Sequence, residues 1–252
     1  MRRAKTPSRQ SCRVGPPREG TAGMLSVVIP THDSEEALAR TLASLVPAAA
    51  EGVVREVLVI DAGSRDGTAI VADAAGCTLI EARGNWAARL DAGVVAARRV
   101  PWFLMLAPNV FLEGDWYREA AAFVDRIERG GRADREIACF RLAFDEFGWQ
   151  ARLAERVAAF SGGLFGRPVR EQGLLVSRTL WARLADAARS GAIDPEMPVS
   201  GVARGAIHCL RADAVVLPGT GGVASVPTGG RIARIALAGL GFGRVAAAID
   251  RN

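Results

Sequence analysis

Two apolar segments that each end in a cluster of polar, turn-forming residues place the strongest constraint on the fold of this chain. The first reads Leu25-Ser-Val-Val-Ile-Pro-Thr-His-Asp33, and the second reads Glu56-Val-Leu-Val-Ile-Asp-Ala-Gly-Ser64. Between them Leu38, Leu42 and Leu45 share one helical face, which predicts a helix between two buried strands. Because ligands bind at the carboxyl ends of the strands in such a parallel sheet, the clusters predict a pocket and favour a nucleotide as its occupant.

Strand and helix patterns continue to alternate after the second cluster. Further strands are predicted over 77–80, 101–106, 137–144, 173–176 and 215–217, and further helices over 68–76, 84–99, 115–127, 150–160 and 179–189. At the start of the first helix, Asp33 stands three residues before Glu36, which is the spacing of a capping box. This alternation predicts an α/β fold with a doubly wound, mostly parallel sheet flanked by helices.

The net positive charge of the chain is concentrated at its beginning. Residues 1–23 have a formal net charge of +5, whereas residues 24–252 contain 26 basic and 26 acidic residues. A basic face on the folded part is therefore not supported, and we expect no nucleic acid partner. Because residues 1–23 lack apolar periodicity and an apolar signal-peptide core, we expect a disordered basic extension rather than a secretory signal. Met24 directly precedes the first strand and is an alternative to Met1 as the native start.

The cysteines indicate a reducing compartment. Cys12, Cys77, Cys139 and Cys209 are far apart and form no Cys-x-x-Cys pair. This spacing does not favour a zinc site or a disulfide framework, so a cytoplasmic protein is expected. Cys77 and Cys139 lie in apolar runs, which is typical of core residues.

A predicted amphipathic helix over 226–252 follows a domain that we expect to span 24–225. Its longest uncharged run, 235–243, is nine residues, and a membrane-spanning helix needs roughly 20. We favour packing of this helix against the domain itself. The alternative is a peripheral contact with the inner face of the plasma membrane, with Arg234 and Arg244 at the headgroups.

Three sequence blocks occur in a fixed order, and the family resemblance rests on them. They read Val27-Val-Ile-Pro-Thr-His-Asp33, Val59-Ile-Asp-Ala-Gly-Ser-Arg-Asp-Gly-Thr68 and Ala82-Arg-Gly-Asn-Trp-Ala-Ala-Arg-Leu-Asp-Ala-Gly93. Together they resemble family-2 glycosyltransferases of the GT-A fold, and in particular a small bacterial branch with an Arg-Gly-rich third block. The resemblance covers about 24–220 and is strongest over 25–112. It implies a GT-A-like protein that binds a nucleotide-diphosphate sugar and transfers the sugar to an unidentified acceptor.

The resemblance also implies roles for individual residues of the first two blocks. It places Pro30, Thr31 and Asp33 beside the base and ribose of the nucleotide, and the Asp61–Ser64 segment on the same ligand. A carboxylate suits this task because it accepts hydrogen bonds from a base N–H or a ribose hydroxyl. Two structural alternatives stay open: Asp61 as the cap of a turn, and Asp33 as the cap of a helix. Residues 66–68 are expected to form a turn that leads into a helix.

Two arginines of the third block are the candidates for binding the diphosphate. A guanidinium group binds phosphate oxygens through two parallel hydrogen bonds, which suits Arg83 and Arg89 to the task. Arg83 is the stronger candidate because it lies in the loop before a helix. Arg89 lies on the helix, and a solvated position is equally consistent with its spacing.

The chain departs from the family pattern at the metal site and at the catalytic base. Asn109 stands where the family has the last Asp of its metal-binding motif, so Mg²⁺ or Mn²⁺ is expected to bind weakly, and metal-independent function is the alternative. Ser200-Gly201 replaces the Glu-Asp pair whose Asp is the family's general base. Asp194, Glu196 and Glu171 are substitute candidates, although a surface carboxylate is the expected role of each.

Three functions are consistent with these features. The first is a nucleotide-sugar glycosyltransferase with altered metal and base sites. The second is a catalytically silent relative that binds a nucleotide or a partner and acts in regulation or as a scaffold. The third is a nucleotidyltransferase, which is the weakest because no Gly-rich phosphate loop with a basic residue follows the first strand.

Overall fold

Four parallel strands, joined by three helices, form the first half of one mixed sheet. The computed structural model describes residues 24–97, 100–144, 168–194 and 198–217. The strands lie in the order β3-β2-β1-β4. Their bounds are Leu25–Thr31 for β1, Val54–Asp61 for β2, Thr78–Glu81 for β3 and Trp102–Met105 for β4. The connecting helices are Glu35–Ala50 (α1), Thr68–Ala74 (α2) and Trp86–Ala96 (α3).

The second half of the sheet is mixed in direction. It comprises β5 (Val110–Leu112), β6 (Ile137–Phe144), β7 (Leu174–Ser177) and β8 (Ile207–Val216), with the helices α4 (Trp116–Arg129) and α5 (Arg178–Arg189). The full order is β3-β2-β1-β4-β7-β6-β8-β5, in which β7 and β5 are antiparallel to their neighbours. The other six strands share one direction, so the predicted mostly parallel α/β sheet is confirmed.

Helices cover both faces of the sheet, and alternate residues of β1 face the two layers. Val27 and Ile29 pack with α1 and α4 in one apolar cluster, whereas Val28 packs with α3 and α5 in the other. All seven residues of β1 are buried. A strand that is apolar on both faces suits the centre of a parallel sheet, and this explains the continuous apolar run from which the strand was predicted.

The predicted capping box at the first helix is wrong. The residue that precedes α1 is Ser34, and its side chain makes no capping hydrogen bond to the helix. Asp33 has φ = 45°, a left-handed conformation that Asp tolerates better than most residues. Its carboxylate instead accepts a hydrogen bond from the backbone N–H of Arg65, 2.7 Å away in the loop after β2.

Several other boundaries differ from the sequence expectation. The third helix starts at Trp86 rather than at 84, because the side chain of Asn85 caps it by accepting from the N–H of Ala88 at 2.8 Å. The last strand is ten residues long, Ile207–Val216, instead of the three predicted over 215–217.

Several predicted segments lie outside the described residues, namely the extension 1–23, the helix 150–160 and the helix 226–252. The proposed peripheral membrane contact and the domain limits therefore stay predictions. Within the described ranges, no helix combines the length and the apolar character needed to cross a membrane.

Candidate functional site

The two polar clusters meet at the carboxyl edge of the sheet. Thr31 and Asp61 are register partners at the ends of the parallel strands β1 and β2. The Thr31 hydroxyl donates to Asp61 Oδ1 over 3.0 Å, and the Ala62 N–H donates to the Thr31 carbonyl over 3.0 Å. Side-chain and backbone bonds therefore hold the two strand ends together.

Asp61 accepts four hydrogen bonds from protein groups. The hydroxyls of Thr31 and Ser64 donate to Oδ1, and the N–H groups of Gly63 and Ser64 donate to Oδ2 over 3.0 and 2.8 Å. Burial alone would raise the pKa of Asp61, but the bonds from Ser64, Thr31 and Gly63 outweigh it and lower the pKa below its ordinary value. A carboxylate has about four acceptor positions, so a ligand at Asp61 would have to share or displace one of these donors.

Asp33 and Ser64 join the two loops beyond the strand ends. The Asp33 N–H donates to Ser64 Oγ over 2.8 Å, while the Asp33 carboxylate accepts from Arg65 N. The side chain of Asp33 is 39% exposed, with His32 Nε2 3.7 Å from its Oδ2. Asp33 therefore combines a backbone fixed to the β2 loop with a carboxylate that solvent, and hence a ligand, can reach.

A second set of bonds joins the same loops from behind and supports the turn predicted at 66–68. The Ser34 N–H donates to Thr68 Oγ1 over 2.9 Å, and the Glu35 N–H donates to Asp66 Oδ2 over 3.0 Å. In return, the N–H of Gly67 donates to Glu35 Oε2 over 2.9 Å, and a Cβ on this glycine would lie only 2.5 Å from the Glu35 carboxyl group. The starts of α1 and α2 are thus rigidly connected.

Arginines approach this edge from the β3 and α3 side. Arg89 Nη1 donates to the Thr31 carbonyl over 3.0 Å, so Arg89 points at the end of β1 rather than into solvent. Arg83 is exposed in the loop after β3, and its Nη2 lies 4.0 Å from where a Cβ on Gly63 would stand. The structure therefore brings both predicted arginines to the clusters at the ends of β1 and β2.

Pro30 differs from the other predicted nucleotide contacts. It is buried within β1 and pairs in register with Ile60. Its ring therefore belongs to the packed strand that leads to the site, and contact with a nucleotide at this residue stays a prediction.

Trp86, at the start of α3, connects the edge to an adjoining pocket. The guanidinium carbon of Arg89 lies 6.0 Å from the centre of the Trp86 ring, and that of Arg170 lies 5.2 Å from it. Both separations are within the range of cation–π attraction. Trp86 stands in the third sequence block, but its place there predicts no role for it. Its juxtaposition with Arg170 spans 84 residues, and no local pattern predicts it.

The pocket itself is largely apolar and lies between the two halves of the sheet. The space over it is about 410 Å³ when its open mouth is included, and the enclosed part is much smaller. Arg170 is the charged residue in its wall, and the other lining residues are apolar side chains of Trp86, Leu90, Met105, Pro168, Val169, Leu174, Trp181, Pro198 and Val199. Because its lining is apolar apart from Arg170, this pocket favours apolar contact with any group that enters it.

Asn109 lies on the turn between β4 and β5. Its carbonyl accepts from Leu217 N over 2.9 Å, and the preceding Pro108 carbonyl accepts from Thr41 Oγ1 over 2.7 Å. Across the described part of the chain, no group of three or more His, Cys, Asp or Glu side chains could hold a metal ion. Asn109 offers an amide where a carboxylate would stand, so its side chain brings no negative charge to a Mg²⁺ or Mn²⁺ ion.

The three candidates for the catalytic base are only partly placed. Glu171 is half-buried on a short 3₁₀ helix, Arg170–Gln172, next to the arginine in the pocket wall. Asp194 is half-buried after α5, and Glu196 lies outside the described residues. Ser200 belongs to the 3₁₀ helix Pro198–Gly201, whose first two residues line the pocket. The role of these carboxylates stays a prediction.

Residues 26–140 match the model of the family described as glycosyl transferase family 2. A search of curated proteins finds no significant match.

Among solved structures, mannosyl-3-phosphoglycerate synthase from Rubrobacter xylanophilus is similar, with 13% identity and a TM-score of 0.52 over 86% of this chain and 72% of that one. This likeness confirms the GT-A fold. Glucosyl-3-phosphoglycerate synthase from Mycobacterium tuberculosis, solved with Mn²⁺, UDP and glucosyl-3-phosphoglycerate, has 16% identity and a TM-score of 0.47 over 86% and 80% of the two chains.

Proposed function

We propose that this chain, whose residues 26–140 match the glycosyl transferase family 2 model, is a glycosyltransferase that uses a nucleotide-diphosphate sugar as its donor. The observation that carries the proposal is the edge where the β1 and β2 loops interlock and both arginines of the third block converge. The nucleotide lies on this edge, and the acceptor occupies the adjoining pocket at Trp86.

We assign different roles in donor binding to the residues of this edge. Asp33 offers a reachable carboxylate to a base N–H or a ribose hydroxyl. Arg83 binds the diphosphate. Arg89 adds positive charge beside the diphosphate while it donates to the Thr31 carbonyl. Asp61 acts on the nucleotide mainly through the hydroxyls and N–H groups that it holds in place.

The chemical step is displacement at the anomeric carbon of the donor sugar. A hydroxyl oxygen of the acceptor forms the new bond, the bond to the diphosphate oxygen breaks, and the nucleoside diphosphate leaves with the electron pair. The arginines reduce the cost of the negative charge that develops on the leaving group. The acceptor proton passes to a carboxylate, for which Glu171, Asp194 and Glu196 are the candidates. A divalent cation, if bound near Asn109, would be held weakly, and no step is derived through it.

Calorimetric titration of the full chain tests the proposal. UDP, GDP and their sugars are titrated with and without Mn²⁺, and release of free sugar from the donor is measured in parallel. Binding together with donor hydrolysis supports the enzyme. If neither UDP, GDP nor any of their sugars binds, the proposal is contradicted.

A matched pair of variants sharpens this test. Asp61→Ala removes the acceptor that holds the strand ends and is expected to abolish nucleotide binding. Asp73→Ala changes an exposed carboxylate on α2 and is expected to leave binding unchanged. Asn109→Asp restores a charged ligand and is expected to strengthen the dependence on Mn²⁺. Equal nucleotide binding by Asp61→Ala and Asp73→Ala would contradict the placement of the site.

The second candidate function is a catalytically silent relative that binds the nucleotide without turning it over. The observation that favours it is the pair of replacements at Asn109 and Ser200-Gly201. Nucleotide binding without any donor hydrolysis, with or without Mn²⁺, is the outcome that selects it.

A further inference from the structure

Two cysteines that are 70 residues apart in the sequence are direct neighbours in the sheet. Cys139 on β6 and Cys209 on β8 are register partners in a parallel strand pair. Residues paired in this way are about 4.8 Å apart between strands, which falls within the Cα separations that a disulfide accepts. Cys209 Sγ donates to the Leu210 carbonyl over 3.6 Å, and interaction between the two thiols raises the pKa of Cys139 and lowers that of Cys209.

The two thiols differ in their access to solvent. Cys139 is 4% exposed and packs beside Leu174, its register partner on β7. Cys209 is exposed at the surface of β8. A reagent in solution can therefore reach Cys209 first, and Cys139 lies beside it on the neighbouring strand.

Charged groups around Cys209 act in opposite directions. The hydrogen bond from Cys139, supported by the positive charge of Arg141, lowers the pKa of Cys209 to about 7 against the effects of burial, Asp213 and Glu119. The charge of Asp213 is itself engaged by Arg141, whose Nε and Nη2 contact its carboxylate at 2.5 and 2.7 Å. The lowered pKa of Cys209 favours its thiolate, the form that attacks.

We propose that Cys139 and Cys209 are an oxidisable pair, in which Cys209 is the reactive thiol and Cys139 resolves it. With a low-molecular-weight disulfide as oxidant, the Cys209 thiolate attacks one sulfur, forms a mixed disulfide and releases one thiolate. Cys139 then loses its proton and attacks the Cys209 sulfur, which forms the Cys139–Cys209 disulfide and releases the second thiol. The pair loses two electrons and two protons, and the oxidant is reduced to two thiols.

The first test measures the acidity of Cys209 in the reduced full chain. Iodoacetamide labelling is followed from pH 5.5 to 9.5 on the tryptic peptide 205–211, and its midpoint is expected at about 7. Cys77 is the internal control, since burial raises its pKa to about 11 and it should label only at much higher pH. A midpoint for Cys209 near the ordinary thiol value of 9.0 would overturn the proposal.

Variants separate the two contributions to this acidity. When a thiol pKa falls from 9 to 7, the thiolate fraction at pH 7 rises, but the more acidic thiolate is a weaker nucleophile. The net labelling rate at pH 7 is about sixfold higher. Cys139→Ala is therefore expected to slow labelling of Cys209 by up to about sixfold. Arg141→Gln leaves both cysteines in place and should slow it by a smaller factor, so the test does not depend on one variant folding. Unchanged rates in both variants would overturn the proposal.

The second test identifies the disulfide. After treatment of the full chain with glutathione disulfide, tryptic peptides 136–141 and 205–211 are expected to be joined to each other. In Cys139→Ala the second step is blocked, and a mixed disulfide with glutathione should remain on Cys209. A persistent mixed disulfide in the unaltered chain, or a Cys209–Cys209 dimer, would overturn the role of Cys139.

Discussion

At the scale of single residues, Asp61 is both a buried carboxylate and the centre of a turn. It is 6% exposed, and each of its oxygens accepts two hydrogen bonds. This coordination explains why a nucleotide role and a turn-capping role were both consistent with the sequence. The strand-end Asp that would contact a ligand is the same residue that forms the loop around it.

Replacing Asp61 by Asn is expected to lower the free energy of unfolding by about 2 kcal/mol at pH 7, because an amide N–H₂ then faces donors that have lost their acceptor. The pKa of Asp61 is lowered from its ordinary value of 3.8. The wild-type advantage is therefore complete above about pH 4 and is lost as the pH falls through the lower, folded-state pKa. Urea denaturation at pH 7 and pH 3 measures this difference, with Asp73→Asn as the exposed control. A difference that stays constant or grows toward pH 3 would contradict the assignment.

Arg83 offers a test of diphosphate recognition that leaves the packing intact, because its side chain is exposed. Loss of charge-assisted hydrogen bonds worth about 1.5–3 kcal/mol corresponds to roughly a 10- to 150-fold weaker Kd. We expect Arg83→Ala to show this loss for UDP or GDP in calorimetry and to leave the weak binding of the bare nucleoside unchanged. Arg40→Ala, at an exposed position on α1, is the control. An equal loss for nucleoside and diphosphate would remove Arg83 from the phosphate site.

At the scale of elements, α3 determines where the arginine side of the site lies. Gly93 lets this helix approach β1 closely, since a Cβ there would stand 2.4 Å from Val28 Cγ1 and 3.2 Å from Ile60 Cδ1. Arg89 and Trp86 lie on the same helix, one and two turns before the glycine. The distance between α3 and the sheet therefore sets the position of both side chains.

Gly93→Ala is expected to destabilise the protein even though alanine favours a helix. Overpacking typically costs about 1–3 kcal/mol, which exceeds or matches the gain in helix propensity of about 1 kcal/mol. Nucleotide affinity should fall as well, because α3 must shift away from β1. Gly205→Ala is the matched control, since a Cβ there meets nothing within 4 Å. Denaturation and titration of both variants check this, and a stability gain at Gly93 would contradict the close packing.

Elements differ in how well the sequence predicts them, and the reason is length and burial. The strands β1 and β2 have seven and eight residues with long buried runs, so their apolar runs are clear. In contrast, β5 has three residues, and the first seven residues of β8 are half-exposed or exposed. Periodicity carries little signal in such short or mixed strands, which is why only the end of β8 was predicted.

The candidate site shows the same division between local and distant determinants. The three sequence blocks predict four of the candidate residues, namely Asp33, Asp61, Arg83 and Arg89. The structure brings them to one edge of the sheet. The partner of the Asp33 carboxylate is 32 residues away, and Arg170 reaches Trp86 from 84 residues away. Contacts of this kind depend on the packed fold. Local spacing therefore predicts neither the contact of Asp33 that replaces the capping box nor the pocket at Trp86.

At the scale of the whole molecule, one antiparallel strand pair joins the two halves of the sheet. The strands β4 and β7 pair over four residues, from Trp102 with Ser177 to Met105 with Leu174. The pocket lies at this junction, because Met105 and Leu174 both line it. Changes in the relative position of the halves would therefore change the pocket, whereas the edge that we propose for the nucleotide lies entirely within the first half.

Arg178, the first residue of α5, ties the second half of the sheet to the first. Its Nε donates to the Val100 carbonyl over 3.0 Å and its Nη1 to the Val94 carbonyl over 3.2 Å, while its guanidinium lies 4.7 Å from the Phe103 ring centre. Arg178→Met keeps an apolar stem of similar length but removes these donors and the charge over the ring. The backbone N–H of residue 178, which donates to the Pro101 carbonyl over 2.8 Å, is retained.

We expect Arg178→Met to lower the Tm by about 4–12 °C, because losing about 2–3 kcal/mol shifts a domain of this size by about 2–4 °C for each kcal/mol. The second expectation is specific to the junction: binding of UDP or GDP to the variant below its Tm should stay close to the wild-type value, since the nucleotide edge is intact. Thermal scans by circular dichroism and calorimetric titration measure the two effects, with Arg40→Met as the control for loss of an exposed arginine. A Tm equal to that of the control would show that Arg178 does not join the halves. A loss of nucleotide binding in the folded variant would show that the edge depends on the second half after all.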